Sequence, residues 1–259
     1  MKYVTYQKQD HVAEITLNRP EVMNAFNSQM LDELIRAFQM VEQDGGVYSV
    51  ILSANGEKAF SAGGDIREEI ATDGPAARAF GEKGKACVRA IERCRVPVIC
   101  AVHGFTLGGG MELLLVCDMT VASEDARIGM PTIKLGTIPG WGCTKNLADV
   151  VGKYRAKELL LTGRMLSARE AYDLGLVEYV VPRAELLPKA RELAETIADM
   201  APIAVKAMKS CIDRGWQMST EEAYAMETEA FSMCYDTQDK FEAMSAFLEK
   251  RPHRPYQYR

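Results

Sequence analysis

The stretch Gly108-Gly109-Gly110-Met111-Glu112 decides how this chain is read, because it lies between two apolar segments, Val96 to Val102 before it and Leu113 to Val116 after it. The spacing predicts a strand that delivers the chain to a glycine turn and a helix that starts there. Glycine lacks a Cβ, so the backbone can take positive φ and a ligand can approach the amide nitrogens closely. The first amides of a helix have no intrahelical acceptor and stand at the positive end of its dipole. Such a turn can hold a developing oxyanion, and Glu112, in the first turn, is placed to face the same spot as an acid or base. Alone, the triplet fits an ordinary strand-to-helix turn with a solvated glutamate equally well. A second glycine turn, Ala59-Phe60-Ser61-Ala62-Gly63-Gly64-Asp65-Ile66, follows the apolar run Val47 to Leu52, and two such turns can offer two donors to one oxygen.

Working outward, strands are expected at Val4 to Tyr6, Val12 to Leu17, Val47 to Ser53, Val96 to Val102, Met119 to Ala122 and Val177 to Val181. Helical spacing covers Ser28 to Val41, Ala76 to Arg93, Gly110 to Val116, Tyr154 to Leu161 and Ala168 to Leu174, the last opened by a capping box at Ser167. This alternation predicts an α/β architecture. After Pro182 no strand is expected. One helix runs to about Met200, a second starts at Pro202, a third is capped by Ser219, and a fourth spans Asp236 to Lys250. The methionines at 218, 226, 233 and 244 read as core or interface filling.

Composition sets bounds. A chain of 259 residues that is 47% hydrophobic can bury a sizeable core, in one domain with an appendage or in two small domains. A net charge of -5 argues against a nucleic-acid surface, which needs clustered Lys and Arg. No apolar run reaches the ~18 residues of a membrane span. The N-terminal Met1 to Tyr6 passes straight into an alternating pattern without signal or transit character. Seven cysteines, an odd number in mostly apolar context, read as reduced thiols of a cytoplasmic protein. Metal binding is not expected, since His11, His103 and His253 are far apart and no Cys-x-x-Cys pair occurs. His103 itself reads as a hydrogen-bonded structural residue.

In their order along the chain these residues resemble the crotonase (enoyl-CoA hydratase/isomerase) superfamily. The likeness runs from Ile15-Thr16-Leu17-Asn18-Arg19-Pro20 and Met23-Asn24-Ala25-Phe26 through both glycine turns to Leu135-Gly136-Thr137-Ile138-Pro139-Gly140. It continues through Leu161-Thr162-Gly163 and Gly175-Leu176-Val177 to Ala246-Phe247-Leu248-Glu249-Lys250-Arg251. The resemblance implies a spiral of ββα units, a core over residues 1–195, and a helical region over 196–259 that builds homotrimers or dimers of trimers. It implies an acyl-CoA substrate and no permanently bound cofactor, coenzyme A entering as part of the thioester. The amides of Gly64 and Gly109 then match the family's oxyanion hole. Met23, Ala25, Ala62, Gly64, Asp65 and Ile66 match its coenzyme A path, and Phe247 and Lys250 match C-terminal positions that touch coenzyme A, often from an adjacent chain.

One position departs from the pattern. A hydratase of this family uses two glutamates, one matching Glu112 and one in a turn of the form Gly-Gln-Pro-Glu. Here that turn reads Gly129-Met130-Pro131-Thr132 and puts Thr132 in the second place. Adding water across a conjugated C=C removes a proton from water at C3 and delivers one at C2; a threonine hydroxyl is too weak an acid to deliver it. Glu68, Glu69 and Glu82, which follow the first glycine turn, read as solvated surface. Four readings therefore stand: a hydratase or dehydratase working through Glu112, an isomerase with one proton shuttle, a decarboxylase of a malonyl-type ester driven by the oxyanion hole, and a non-catalytic acyl-CoA-binding subunit. Ile138 stands where an aryl-CoA dehalogenase would need an Asp nucleophile. Phe80, Trp141 and the Thr72 to Gly84 segment are expected around the acyl pocket, Trp141 either closing it or filling the core.

Overall fold

The computed structural model describes residues 1–257. The chain begins with β1 (Val4–Gln9), β2 (Val12–Leu17), α1 (Ser28–Gln43), β3 (Ser49–Ala54), β4 (Ala59–Ser61), α2 (Ile66–Glu69) and α3 (Gly74–Glu92). It continues with β5 (Val98–Val102), β6 (Phe105–Leu107), α4 (Gly109–Leu114), β7 (Met119–Ser123), β8 (Arg127–Gly129), α5 (Cys143–Val151) and α6 (Lys153–Thr162). Then come β9 (Met165–Ser167), α7 (Ala168–Asp173), β10 (Tyr179–Val181), α8 (Leu186–Ala198), α9 (Pro202–Gly215), α10 (Thr220–Tyr235) and α11 (Gln238–Leu248).

Two sheets organise these elements. The larger has the order β1-β2-β3-β5-β7-β10, with β1 antiparallel to β2 and every other pair parallel. The smaller has the order β4-β6-β8-β9, its first three strands parallel and β9 antiparallel. Three successive passes, β3-β4, β5-β6 and β7-β8, each give one strand to the large sheet and the next to the small one before a helical segment. This is the expected ββα spiral.

The large sheet is buried on both faces, as parallel strands are. Side chains alternate along β5, so Val98, Cys100 and Val102 join the main core while Ile99 and Ala101 join a second cluster under α8. Helix α1 packs on the main core through Met30, Leu31, Leu34, Ala37, Phe38 and Val41, a helical stripe. Its N-terminus is capped by the Asn27 side chain, which accepts the Met30 amide at 2.9 Å. Helix α8 covers the opposite face with Leu186, Ala190 and Ala194. The junction expected after residue 195 falls inside α8, whose Ile197 and Ala198 still pack on that cluster.

All six expected strands belong to the large sheet. None of the four strands of the small sheet was expected, nor were α2 and α5. The glycine turns are therefore delivered by β4 and β6, and the apolar strands β3 and β5 stand one step further back. Strand β5 starts at Val98 because Pro97 has no amide hydrogen for a ladder. Helix α3 starts at Gly74, earlier than its apolar spacing suggests, because Asp73 caps the Ala76 amide at 2.9 Å and Pro75 suits the first turn.

The C-terminal helices are held differently. Helix α9 is tied to the core by Lys209, whose ammonium lies 2.5 Å from Asp118, and α10 packs against α9. Helix α10 buries none of its residues and α11 only Asp239 and Ala246, while Trp216, Phe231, Phe241, Phe247 and Leu248 are exposed. Met218, Met233 and Met244 are exposed too, so they do not fill the core of this chain. Among the described residues no helix is long and apolar enough to cross a membrane.

Candidate active site

The parallel strands β4, β6 and β8 lie side by side with their C-terminal ends together, Ser61 opposite Thr106 and Leu107 opposite Gly129. Each strand ends at a position singled out above: β4 leads to Gly64, β6 to Gly109 and β8 to Thr132. Gly108 turns the chain with φ 53° and ψ -121°, a conformation that a side chain would forbid. The two glycine turns abut, since a Cβ on Gly63 would stand 3.3 Å from the Gly108 Cα and 3.6 Å from the Gly109 nitrogen.

The amides around these turns are mostly engaged. Gly63 N–H donates to Ser61 Oγ at 3.2 Å, Asp65 N–H to the Phe26 carbonyl at 2.9 Å, and Gly108 N–H to the Gly129 carbonyl at 3.1 Å. Gly64 N–H and Gly109 N–H, between and beside them, meet no acceptor among the described residues. The loop before α1 fixes the first turn. Asn24 is fully buried, donates to the carbonyls of Asn55 and Ala59 and accepts the Arg19 amide. Arg19 reaches the Ala25 carbonyl at 2.9 Å and the Asp65 carboxylate at 2.7 Å. Burial opposes the charge on Asp65, yet the Arg19 guanidinium and the Arg67 amide together hold its carboxyl below the usual range.

Glu112 lies in the first turn of α4 and is 4% exposed. Its Oε1 accepts the backbone N–H groups of Trp141 at 2.8 Å and Cys143 at 3.2 Å, at the N-terminus of α5. Burial raises its pKa to about 7 against the opposing pull of the Trp141, Cys143 and Gly142 amides. Near neutrality it exchanges a proton readily in either direction, which is what a general acid or base requires. These α5 amides are a site feature that sequence reasoning missed. The available signals were the glycines flanking Trp141 and the apolar pair Cys143 and Leu147, one helical turn apart.

Trp141 is 5% exposed and belongs both to the core and to this site. Its indole meets Phe26 edge-on at 5.5 Å and Phe80 at 5.9 Å. A side chain on Gly84 or Gly109 would collide with the ring, so these glycines make room for it. The hydroxyl of Thr132 is buried and without a hydrogen-bond partner. His103 points elsewhere: its Nε2 pairs with the Gly56 carbonyl at 2.9 Å, and burial, with help from Arg183, lowers its pKa to about 4.

The expected coenzyme A residues divide into two groups. Met23, Ala25, Ala62, Gly64, Asp65 and Ile66 come together, the Ala62 amide donating to the Met23 carbonyl at 2.9 Å and the Phe26 amide to that of Gly63 at 2.8 Å. Phe247 and Lys250 lie at the end of α11, and among the described residues no hydrogen bond, ion pair or ring contact joins them to that group.

Comparison with known proteins agrees with this architecture. The family model described as enoyl-CoA hydratase/isomerase matches residues 7–257. A short-chain-enoyl-CoA hydratase of Clostridium acetobutylicum is 44% identical, over 96% of this chain and 95% of its own. A crotonyl-CoA hydratase of Syntrophomonas wolfei is 40% identical over the same shares of the two chains. The crystal structure of an enoyl-CoA hydratase from Bacillus anthracis superposes with a TM-score of 0.96 at 37% identity, each chain covered in full. With this family match spanning nearly its whole length, the chain is an enzyme of the enoyl-CoA hydratase/isomerase family, in the crotonase superfamily.

Proposed function

We propose that this enzyme adds water to a short 2-enoyl-CoA, or removes it from the corresponding 3-hydroxyacyl-CoA. The observation that carries the reading is the buried Glu112, held near neutrality beside two abutting turns whose Gly64 and Gly109 amides have no acceptor. The thioester oxygen accepts from both amides at about 3 Å, and the charge that develops on it in the enolate is stabilised there. Glu112 takes a proton from the water that attacks C3. Thr132, a buried hydroxyl that can both donate and accept, orients that water. The hydratase names of the relatives support this choice.

Coenzyme A enters as part of the substrate, along Met23, Ala25, Ala62, Gly64, Asp65 and Ile66, and no cofactor is permanently bound. The exposed apolar residues of α9 to α11 are the natural contact of a homotrimer or a dimer of trimers, in which Phe247 and Lys250 reach the coenzyme A of an adjacent subunit. The catalytic core then runs through α8, a few residues past the boundary expected at 195, and the helices after it form the assembly region of a cytoplasmic protein.

Thr132 in the second carboxyl position also favours a one-carboxylate reaction, double-bond migration or loss of CO₂ from a malonyl-type ester. A panel of crotonyl-, 3-enoyl-, methylmalonyl- and cyclic enoyl-CoA, assayed for hydration, isomerisation and CO₂ release, separates these. Hydration of crotonyl-CoA as the fastest reaction is the expected result; CO₂ release or isomerisation without hydration would overturn the proposal.

A further inference from the structure

Five acidic side chains lie between Asp65 and Glu82, and four of them are committed elsewhere, Asp73 as the cap of the Ala76 amide. Asp65 pairs with Arg19. Glu68 accepts from the Ser28 hydroxyl at 2.5 Å and from its amide at 3.3 Å. Glu82 is held by Lys85 at 3.0 Å. The Glu69 carboxylate has no hydrogen bond or ion pair among the described residues, and it folds back onto Gly64. A Cβ built on Gly64 would collide with Glu69 Oε1 and stand 2.9 Å from the carboxyl carbon. The carboxyl group therefore borders the glycine whose amide is free, although the residue as a whole is exposed.

We infer that Glu69 is the second catalytic carboxyl group of this site and delivers the proton to C2 that Thr132 cannot. The inference rests on the hydration reading above. A thioester oxygen about 3 Å from the Gly64 nitrogen brings C1, and C2 one bond further on, beside the same glycine. In the forward step Glu112 takes a proton from water as the water oxygen bonds to C3, and the C2=C3 pair shifts to form the enolate. The Glu69 carboxylic acid then protonates C2, the electron pair on the thioester oxygen returns to the carbonyl, and Glu69 is left as a carboxylate. One proton and one hydroxyl have been added. Solvent restores the resting state by taking the proton from Glu112 and returning one to Glu69.

The surroundings suit an acid. Partial desolvation, with the neighbouring charges of Asp65 and Glu68, raises the Glu69 pKa, and no cation faces it closely enough to oppose them. Glu112 works in the opposite sense as the base, with only neutral amides and the Cys143 thiol against it. Opposed roles for two carboxyl groups produce a bell-shaped profile to which each group contributes one limb.

The test is crotonyl-CoA hydration across pH by the wild type, E69Q, E69D, E92Q at the exposed far end of α3, and the double variant E69Q/T132E. Since the Glu69 carboxylate makes no hydrogen bond or ion pair among the described residues, E69Q is expected to fold normally. Its kcat should fall roughly 10²- to 10⁴-fold with little change in KM, and one limb of the profile should disappear. E69D should retain part of the rate and E92Q all of it, and E69Q/T132E should recover at least ~10-fold over E69Q. If E69Q keeps the wild-type kcat, or lowers KM without lowering kcat, Glu69 lies against Gly64 without a part in the chemistry and the inference is overturned while hydration stands. Failure of the hydration reading is distinguishable, because the wild type would then leave crotonyl-CoA unhydrated.

Discussion

The two sheets of this enzyme divide its physics between them. In the large sheet five of the six strands have five or six residues, both faces are covered, and side chains from β2, β3, β5 and β7 fill two apolar clusters. In the small sheet every strand has three residues, and what matters is the C-terminal end, where Gly64, Gly109 and Thr132 follow β4, β6 and β8. The large sheet supplies apolar burial, the main source of folding free energy. The small sheet contributes less burial and sets positions: it brings three loops from three passes of the spiral to one place. Substitutions in the two sheets should therefore separate stability from turnover.

The largest effect is expected from Leu52→Ala in β3, where a fully buried side chain leaves a cavity. Unfolding free energy should drop by about 2–5 kcal/mol, while the folded fraction keeps its kcat within about twofold. Chemical denaturation alongside kinetics checks this, and a large loss of kcat in folded protein would break the division. Gly109→Ala should act chiefly on turnover, with an overpacking cost of about 1–3 kcal/mol beside it. The new methyl group presses on Trp141 and lies 3.0 Å from Phe26 Cδ2, so it displaces the turn. A loss of roughly 10²- to 10³-fold in kcat, the scale of one oxyanion donor, should come with little change in coenzyme A affinity.

How much of this was legible beforehand follows the same division. A strand of five or six residues carries a hydrophobic pattern, and every such pattern found was a strand of the large sheet. Ala59-Phe60-Ser61 or Arg127-Ile128-Gly129 is too short to show a period, so the small sheet was invisible. Glu112, Gly64, Gly109 and Thr132 were singled out through glycine chemistry and resemblance, without the sheet that places them. Helix α5 has only nine residues, and its short stripe of Cys143, Leu147, Ala148 and Val151 was passed over, which hid the amides that hold Glu112. Glu69 read as surface because nothing in the spacing of Arg67-Glu68-Glu69 tells which carboxylate folds back onto a glycine.

A smaller effect sharpens the cost of the site. Glu112 has an ordinary pKa of 4.5 and a folded value of about 7. The unfolded chain therefore loses this proton first, and the burial penalty is absent below 4.5 and grows as pH rises to 7, where it reaches about 3 kcal/mol. E112Q should then be more stable than the wild type above neutrality, with the difference fading in acid; thermal unfolding at several pH values measures it. Equal pH dependence in both proteins would mean that the carboxyl is not buried as described. The smallest effect is expected from Lys250→Ala, a severalfold rise in KM for acyl-CoA with unchanged kcat, worth roughly 1 kcal/mol as a partly exposed phosphate contact. An unchanged KM would remove Lys250 from the coenzyme A path.

The most direct test of the central claim, that Glu112 is the base of a hydration reaction, is the pH dependence of kcat/KM for crotonyl-CoA in the wild type and E112Q. The wild-type value should rise through an apparent pKa of about 7, and E112Q should bind the thioester but lose roughly 10²- to 10⁴-fold in rate together with that limb. A full rate in folded E112Q, or an acidic limb that survives the substitution, would contradict it.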